Sequence, residues 1–193
     1  MSRAVTRSRL NPTTDQFMAE KINESDILER LNQTNTVRGF FITTVDVLTE
    51  AIDALMQRIF RKDNFAVKSV VEPLLHDTGP LGDLSVRLKL LFGLGVIPDD
   101  VFHDIEQLIK LRNQLNHDAT EYQFTDPQIL APIKALNLVK KMGMLHLNVV
   151  EPDDDIDLSF YHLQLQRQQQ VIKSGLSLAI IQICNTLNKD SPF

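Results

Sequence analysis

The run LIKLRNQLNHD, residues 108–118, sets Arg112 and Asn113 five and four residues ahead of His117. A guanidinium held beside an imidazole can stabilise the charge on a cleaved phosphodiester while the histidine handles the proton of a ribose 2′-hydroxyl. That is general acid–base catalysis with electrostatic stabilisation. On a straight helix Arg112 and His117 stand five positions, about 140°, apart. They converge only if the helix ends near Leu115 and His117 turns back, a turn that Asn116 would tolerate in the left-handed position after a helix. The plainer alternative pairs Arg112 with a neighbouring acid and leaves His117 at a helix C-terminus, where the dipole suits a cation. No second catalytic element accompanies these three residues.

Other chemistry finds no sequence support. The five histidines (His76, His103, His117, His146 and His162) show no His-x₃-His or HExxH spacing, and no cysteine pair exists, so no metal site is expected. The acidic run at Asp153, Asp154, Asp155 and Asp157 lacks the central glycine and distal glutamate of a calcium loop and reads as a solvated linker. There is no GxxxxGK[ST] and no GxSxG. Gly93-Leu94-Gly95 begins like a dinucleotide fingerprint, but Pro98 takes the third glycine's place and no strand precedes it; it reads as a helix-to-helix turn. Cys184 shares an apolar helix face with Ile180, Ile183 and Leu187, which describes an inert core thiol. No cofactor is expected.

The elements that would carry these residues are helical throughout. Phe41, Val45, Leu48, Ile52, Leu55 and Ile59 alternate in steps of four and three, a helix seam that Phe40, Val47 and Ala51 widen. The helix from about Val37 to Phe60 is therefore expected to be central and covered on more than one side. Before it, Phe17, Ile22, Ile27, Leu28 and Leu31 suggest one or two short helices, capped at Ser25 or Asp26. After it, Asn64 can cap a helix through Phe65, Val67, Val70, Val71 and Leu74, whose apolar side chains are wanted by the core. Pro80 suits the first turn of a helix carrying Leu81, Leu84, Leu88, Leu91 and Phe92, and Pro98 that of one running to Asn116. Asp126 and Pro127 start another, limited by Pro132. Residues 145–150 alternate weakly, as a short extended piece would. A long helix from Leu158 to Leu187 closes the chain, interrupted by the polar segment LQLQRQQQ.

The chain has 193 residues, 43% of them hydrophobic and 23% charged, with 20 Lys+Arg against 25 Asp+Glu and a net charge of −5. That is enough apolar content for one domain with its own core, without staples or global disorder. The fold class expected is all-α, a single bundle of six to eight helices spanning residues 16–189. A loose arm at 1–15 carries Arg3, Arg7 and Arg9, and a short tail covers 190–193. No apolar run follows the N-terminal arginines and no stretch is long enough to span a bilayer, so a cytoplasmic protein is expected.

The Arg112-Asn113…His117 spacing resembles the RN-x₃-to-x₅-H signature of the HEPN superfamily, helical bundles that include metal-independent ribonucleases acting as dimers. That resemblance implies Arg112, Asn113 and His117 as a catalytic set. A longer and collinear one covers TVRGFFITTVDVLTEAIDALM, FRKDNFAVKSVVEPLLHDTGPLGDLSVRLKLLFGLGVI and LRNQLNHDATEYQFTDPQIL. These blocks are similar to the mannitol operon repressor family, most strongly from Glu29 to Leu130. This second resemblance implies a bacterial regulator that lowers expression of mannitol uptake and dehydrogenase genes, an all-helical fold and self-association.

Direct DNA reading has little to stand on. The one well-formed turn, Gly93 to Ile97, leads into Asp99, Asp100, Asp104 and Glu106, carboxylates that repel phosphate from a would-be reading helix. The sole internal basic cluster is Arg58, Arg61, Lys62 and Lys68, with Arg87 and Lys89 near it in sequence; it would offer at most a weak backbone contact, or serve as a solvated face. Repression through a protein partner is expected instead, either a DNA-binding regulator or a component of the sugar phosphotransferase system. The seams of the 37–60 and 158–187 helices could also carry a homodimer.

Overall fold

The computed structural model describes residues 23–60, 65–76, 78–143 and 158–189. It contains eight helices among those residues: α1 Glu24–Asn32, α2 Val37–Ile59, α3 Phe65–Leu75, α4 Leu84–Gly93, α5 Asp99–His117, α6 Pro127–Ala135, α7 Asn137–Lys141 and α8 Leu158–Leu187. The all-α expectation holds. The expected extended piece at 145–150, the acidic linker, the N-terminal arm and the tail lie outside the described residues.

The α2 helix is the axis. Thr36 caps it, its hydroxyl accepting from the Gly39 N–H at 3.0 Å, and it buries Phe40, Phe41, Val45, Val47, Leu48, Ala51, Ile52, Leu55 and Met56. Those side chains point around most of the circumference, so α1, α4, α5 and α8 all pack against it. Phe40 meets Phe41 and Phe124 edge-on, with ring centroids 5.6 and 5.3 Å apart, the arrangement favoured by the aromatic quadrupole. Across α5, Val101, Ile105, Leu108, Leu111 and Leu115 recur every three or four residues and bury against α2.

Several local expectations are corrected. The cap of α1 is Asn23, whose side chain accepts from the Ser25 N–H at 3.1 Å, rather than Ser25 or Asp26. Pro80 lies in a turn, and α4 starts at Leu84 because the Asp83 carboxylate takes the Ser85 and Val86 N–H groups. Pro98 is the cap residue of α5 rather than its first helical residue. At the end of α4, Gly95 adopts φ +71°, and Val96 N–H reaches the Leu91 carbonyl at 3.0 Å. That left-handed turn closes the helix where a side chain would strain it. Among the described side chains of α3, Val71 is buried and Leu75 packs half-buried against the core, whereas Phe65 is 85% exposed and Val70 is exposed too.

Candidate functional site

The α5 helix continues unbroken through His117, and the chain becomes extended only at Asp118. The early ending near Leu115 does not occur, because Asn116 keeps helical geometry. Arg112 and His117 thus stay about 140° apart on one helix and do not converge. Arg112 is half-buried and donates to the Asn113 side-chain oxygen at 3.0 Å, while His117 and Asn113 are exposed.

What gathers at this helix end is a different set. The Asp118 carboxylate accepts from the Tyr122 hydroxyl at 2.5 Å and from the Thr120 N–H at 2.9 Å. Arg38, at the start of α2, donates to the Asp118 and Thr120 carbonyls. The hydrogen bond from Tyr122, followed by those from Thr120, holds Asp118 down to about 2, and the same bond pushes the Tyr122 phenol up. The arrangement fastens the exit of α5 to the entry of α2. Sequence reasoning missed it, since Arg38 and Asp118 are 80 residues apart and share no pattern.

Of the expected basic patch, Arg58 alone has a described side chain. Arg58 donates to the Leu187 carbonyl at 2.6 Å, satisfying the last turn of α8. Arg87 pairs with Asp53 and donates to the Gly82 carbonyl at 2.9 Å. Lys89 is exposed. Arg61, Lys62 and the side chain of Lys68 lie outside the described residues. At the start of α5, Asp99 is exposed and Asp100 pairs with Lys141, which holds the Asp100 carboxyl below its ordinary range. Asp104 departs from the expected acidic face. It is buried and accepts from Asn137 N, Asn137 Nδ2 and Leu138 N at 2.8, 3.0 and 2.9 Å, capping α7. Cys184 is buried as expected, its thiol pushed up to about 12 by desolvation.

Among the described residues, large apolar side chains are exposed on α3 and on α8. On α3, Phe65 and Val70 stand out beside an open groove of about 670 Å³ lined by Ser69, Glu72, Pro73, Leu75, His76 and Thr78. In the first half of α8, no side chain from Ser159 to Val171 is buried. Surfaces of this kind suit protein contact rather than chemistry.

A family model described as the mannitol repressor, MtlR, matches residues 23–188 of the chain. The chain belongs to the mannitol repressor family. The mannitol operon repressor of Escherichia coli strain K12 is 45% identical over 174 residues, covering 88% of this chain and 85% of that protein. A solved relative, from the X-ray structure of the MtlR–HPr complex of Escherichia coli, is 47% identical with a TM-score of 0.78, over 85% of this chain and 97% of its own. Fumarase E of the same strain is 26% identical over 160 residues, 82% of this chain and 93% of that protein. The long collinear resemblance, rather than the three-residue Arg112-Asn113…His117 spacing, is the one that family membership bears out. Among the described residues, no group of His, Cys, Asp and Glu side chains is placed to hold a metal ion, and no helix is long and apolar enough to cross a membrane.

Proposed function

We propose that this chain represses mannitol-utilisation genes by contact with protein partners, and that one partner is HPr, a phosphotransferase-system protein. The observation that carries the reading is the match to a relative solved in complex with HPr, at 47% identity over 97% of that relative's chain. Local chemistry supports it. The helix after the Gly93–Ile97 turn opens on Asp99 and Asp100, which repel a phosphate backbone, and Arg58 and Arg87 are engaged in internal contacts. The exposed apolar surfaces of α3 and α8 supply area for protein contact. The same reading makes the protein cytoplasmic and non-enzymatic, since Arg112 and His117 diverge on one unbroken helix.

Calorimetric titration of the purified chain with purified HPr tests the partner. Fluorescence anisotropy against the mannitol promoter and a scrambled duplex, across a salt series, tests the DNA arm. The expected result is saturable HPr binding, with no duplex preference that survives moderate salt. Absent HPr binding together with salt-resistant promoter preference would overturn the proposal. Metal-free RNA cleavage or hydration of fumarate by the pure protein would overturn its non-enzymatic part.

A further inference from the structure

Ser69, Glu72 and His76 lie within about 60° of one direction along α3. His76 is one residue past the helix, and its N–H still reaches the Glu72 carbonyl at 3.1 Å, so the helical turn carries through it. All three are exposed, and all three line the groove of about 670 Å³ together with Pro73, Leu75 and Thr78.

The turn after α3 sets the shape of this groove. Gly79 N–H donates to the His76 carbonyl at 2.7 Å and Leu81 N–H reaches back to the Leu74 carbonyl at 2.9 Å, which brings Thr78 Oγ1 to 3.4 Å from His76 Nδ1. A Cβ on residue 79 would run into the carbonyl oxygens of Pro73 and Leu74, so only glycine lets the chain pass this close to the helix end. The groove is formed by the fold, before any ligand arrives.

Its lining selects by chemistry. The Glu72 carboxylate accepts hydrogen bonds, the Ser69 and Thr78 hydroxyls donate and accept, and the His76 imidazole has a nitrogen for each role. Pro73 and Leu75 add apolar surface on which C–H groups can pack. No lysine or arginine stands among the described lining residues, and Glu72 repels anions. Phosphate esters and dicarboxylates, which are held by cations, are therefore disfavoured. An uncharged ligand with a hydroxyl on every carbon and C–H groups between them matches the lining, and the volume lies within the span of about 300–1,000 Å³ usual for small-molecule sites.

We propose that this groove binds a neutral linear polyol, with Glu72 and His76 as its principal hydrogen-bonding side chains. The preference for an uncharged polyhydroxyl ligand comes from the lining alone; the choice of a six-carbon sugar alcohol of the mannitol type rests on the regulatory reading above. Phe65, one turn before Ser69 on the same stripe, is 85% exposed. A polyol in the groove therefore sits beside apolar surface open to a protein partner, as a sugar-responsive regulator requires.

Because polyols at high concentration stabilise proteins generally by exclusion from their surface, the test reads individual residues. Amide chemical shifts of the isotope-labelled full-length chain, titrated with D-mannitol, are expected to move saturably along α3 and the turn at 76–82, with a dissociation constant of about 0.1–10 mM. The 1-phosphate ester of the same polyol should bind at least about tenfold more weakly. Glu72→Ala/His76→Ala should weaken polyol binding at least about tenfold with the unfolding midpoint retained, since both side chains are exposed. Thr78→Val, which exchanges one exposed hydroxyl for a methyl and disturbs the helix less, should weaken it about threefold. No saturable shift by about 50 mM polyol overturns the proposal. So do shifts confined to other helices, unchanged affinity in both variants, or tighter binding of the phosphate ester. Titrating the same sample with HPr separates the two readings: HPr binding without polyol shifts overturns this inference alone, and polyol shifts at α3 without HPr binding support the groove while removing the partner.

Discussion

The α2 helix and the first half of α8 both carry apolar residues at helical spacing, the latter broken by the polar run LQLQRQQQ, and they end in opposite environments. In α2 the signal is enclosed: Phe40 and Phe41 are fully buried, and four other helices surround it. In α8 no side chain from Ser159 to Val171 is fully buried, and Phe160 and Leu163 are exposed. A three-and-four spacing of apolar residues therefore establishes a helix and its faces but not what covers each face. Coverage comes from the lengths and directions of other elements. The α8 helix packs on α1, α2 and α7, its buried residues begin at Ile172, and Lys173 is hooked on the carbonyls that end α1.

The sharpest way to break this comparison is to truncate one phenylalanine on each side. Phe40→Ala removes a fully buried ring with two edge-on aromatic partners and should lower unfolding stability by about 3–5 kcal/mol in urea denaturation. Phe160→Ala should stay within about 0.5 kcal/mol. Equal losses would mean that the first half of α8 is packed after all.

A smaller effect is expected at the α5–α7 junction. Asp104→Ala leaves the Asn137 and Leu138 N–H groups without their acceptor and should cost about 1–3 kcal/mol by the same assay. The loss should concentrate in α7, whose amides would exchange faster, whereas α2 amides keep their protection.

The smallest effect concerns pH. Asp118 titrates near 2 in the folded protein, below the ordinary aspartate value of about 3.9, so the stability it contributes is present above the unfolded value and fades as pH falls through the folded one. Tyr122→Phe removes the largest cause of that depression. A carboxyl-detected NMR titration should show Asp118 moving up toward the ordinary range, with the acid limb of its stability contribution moving to higher pH in parallel. An unmoved Asp118 would mean that Thr120 and Arg38 hold the carboxylate without the phenol.

Much of the architecture was legible in the residues. The seam of α2, the broad face of α5, the Asp126-Pro127 start of α6, the span of α8 and the buried Cys184 follow from spacing alone, because each depends on neighbours within a few turns. Prolines were read too literally: Pro80 and Pro98 suit a first turn, but a better capping carboxylate at Asp83 and an earlier extended residue at Pro98 moved both starts. The Arg112–His117 pairing failed for a related reason. Asn116 permits a helix end but does not impose one, and Leu115 packing on the core together with the Asp118 clamp carries the helix two residues further. The basic patch could not be judged from sequence at all, since the partners of Arg58 and Arg87 come from distant segments, Leu187 and Asp53.

By itself the sequence determined the helical class, the order and approximate bounds of the helices and the core positions of α2 and α5, and its long collinear blocks carried the family. Those properties are set by local periodicity or by residue identity along the chain. The tertiary structure alone decided which cations are engaged, which carboxylate of α5 turns inward, and which apolar faces stay open. Each depends on what lies across a gap from residues tens of positions away, and the pattern along a chain carries no information about distance through space.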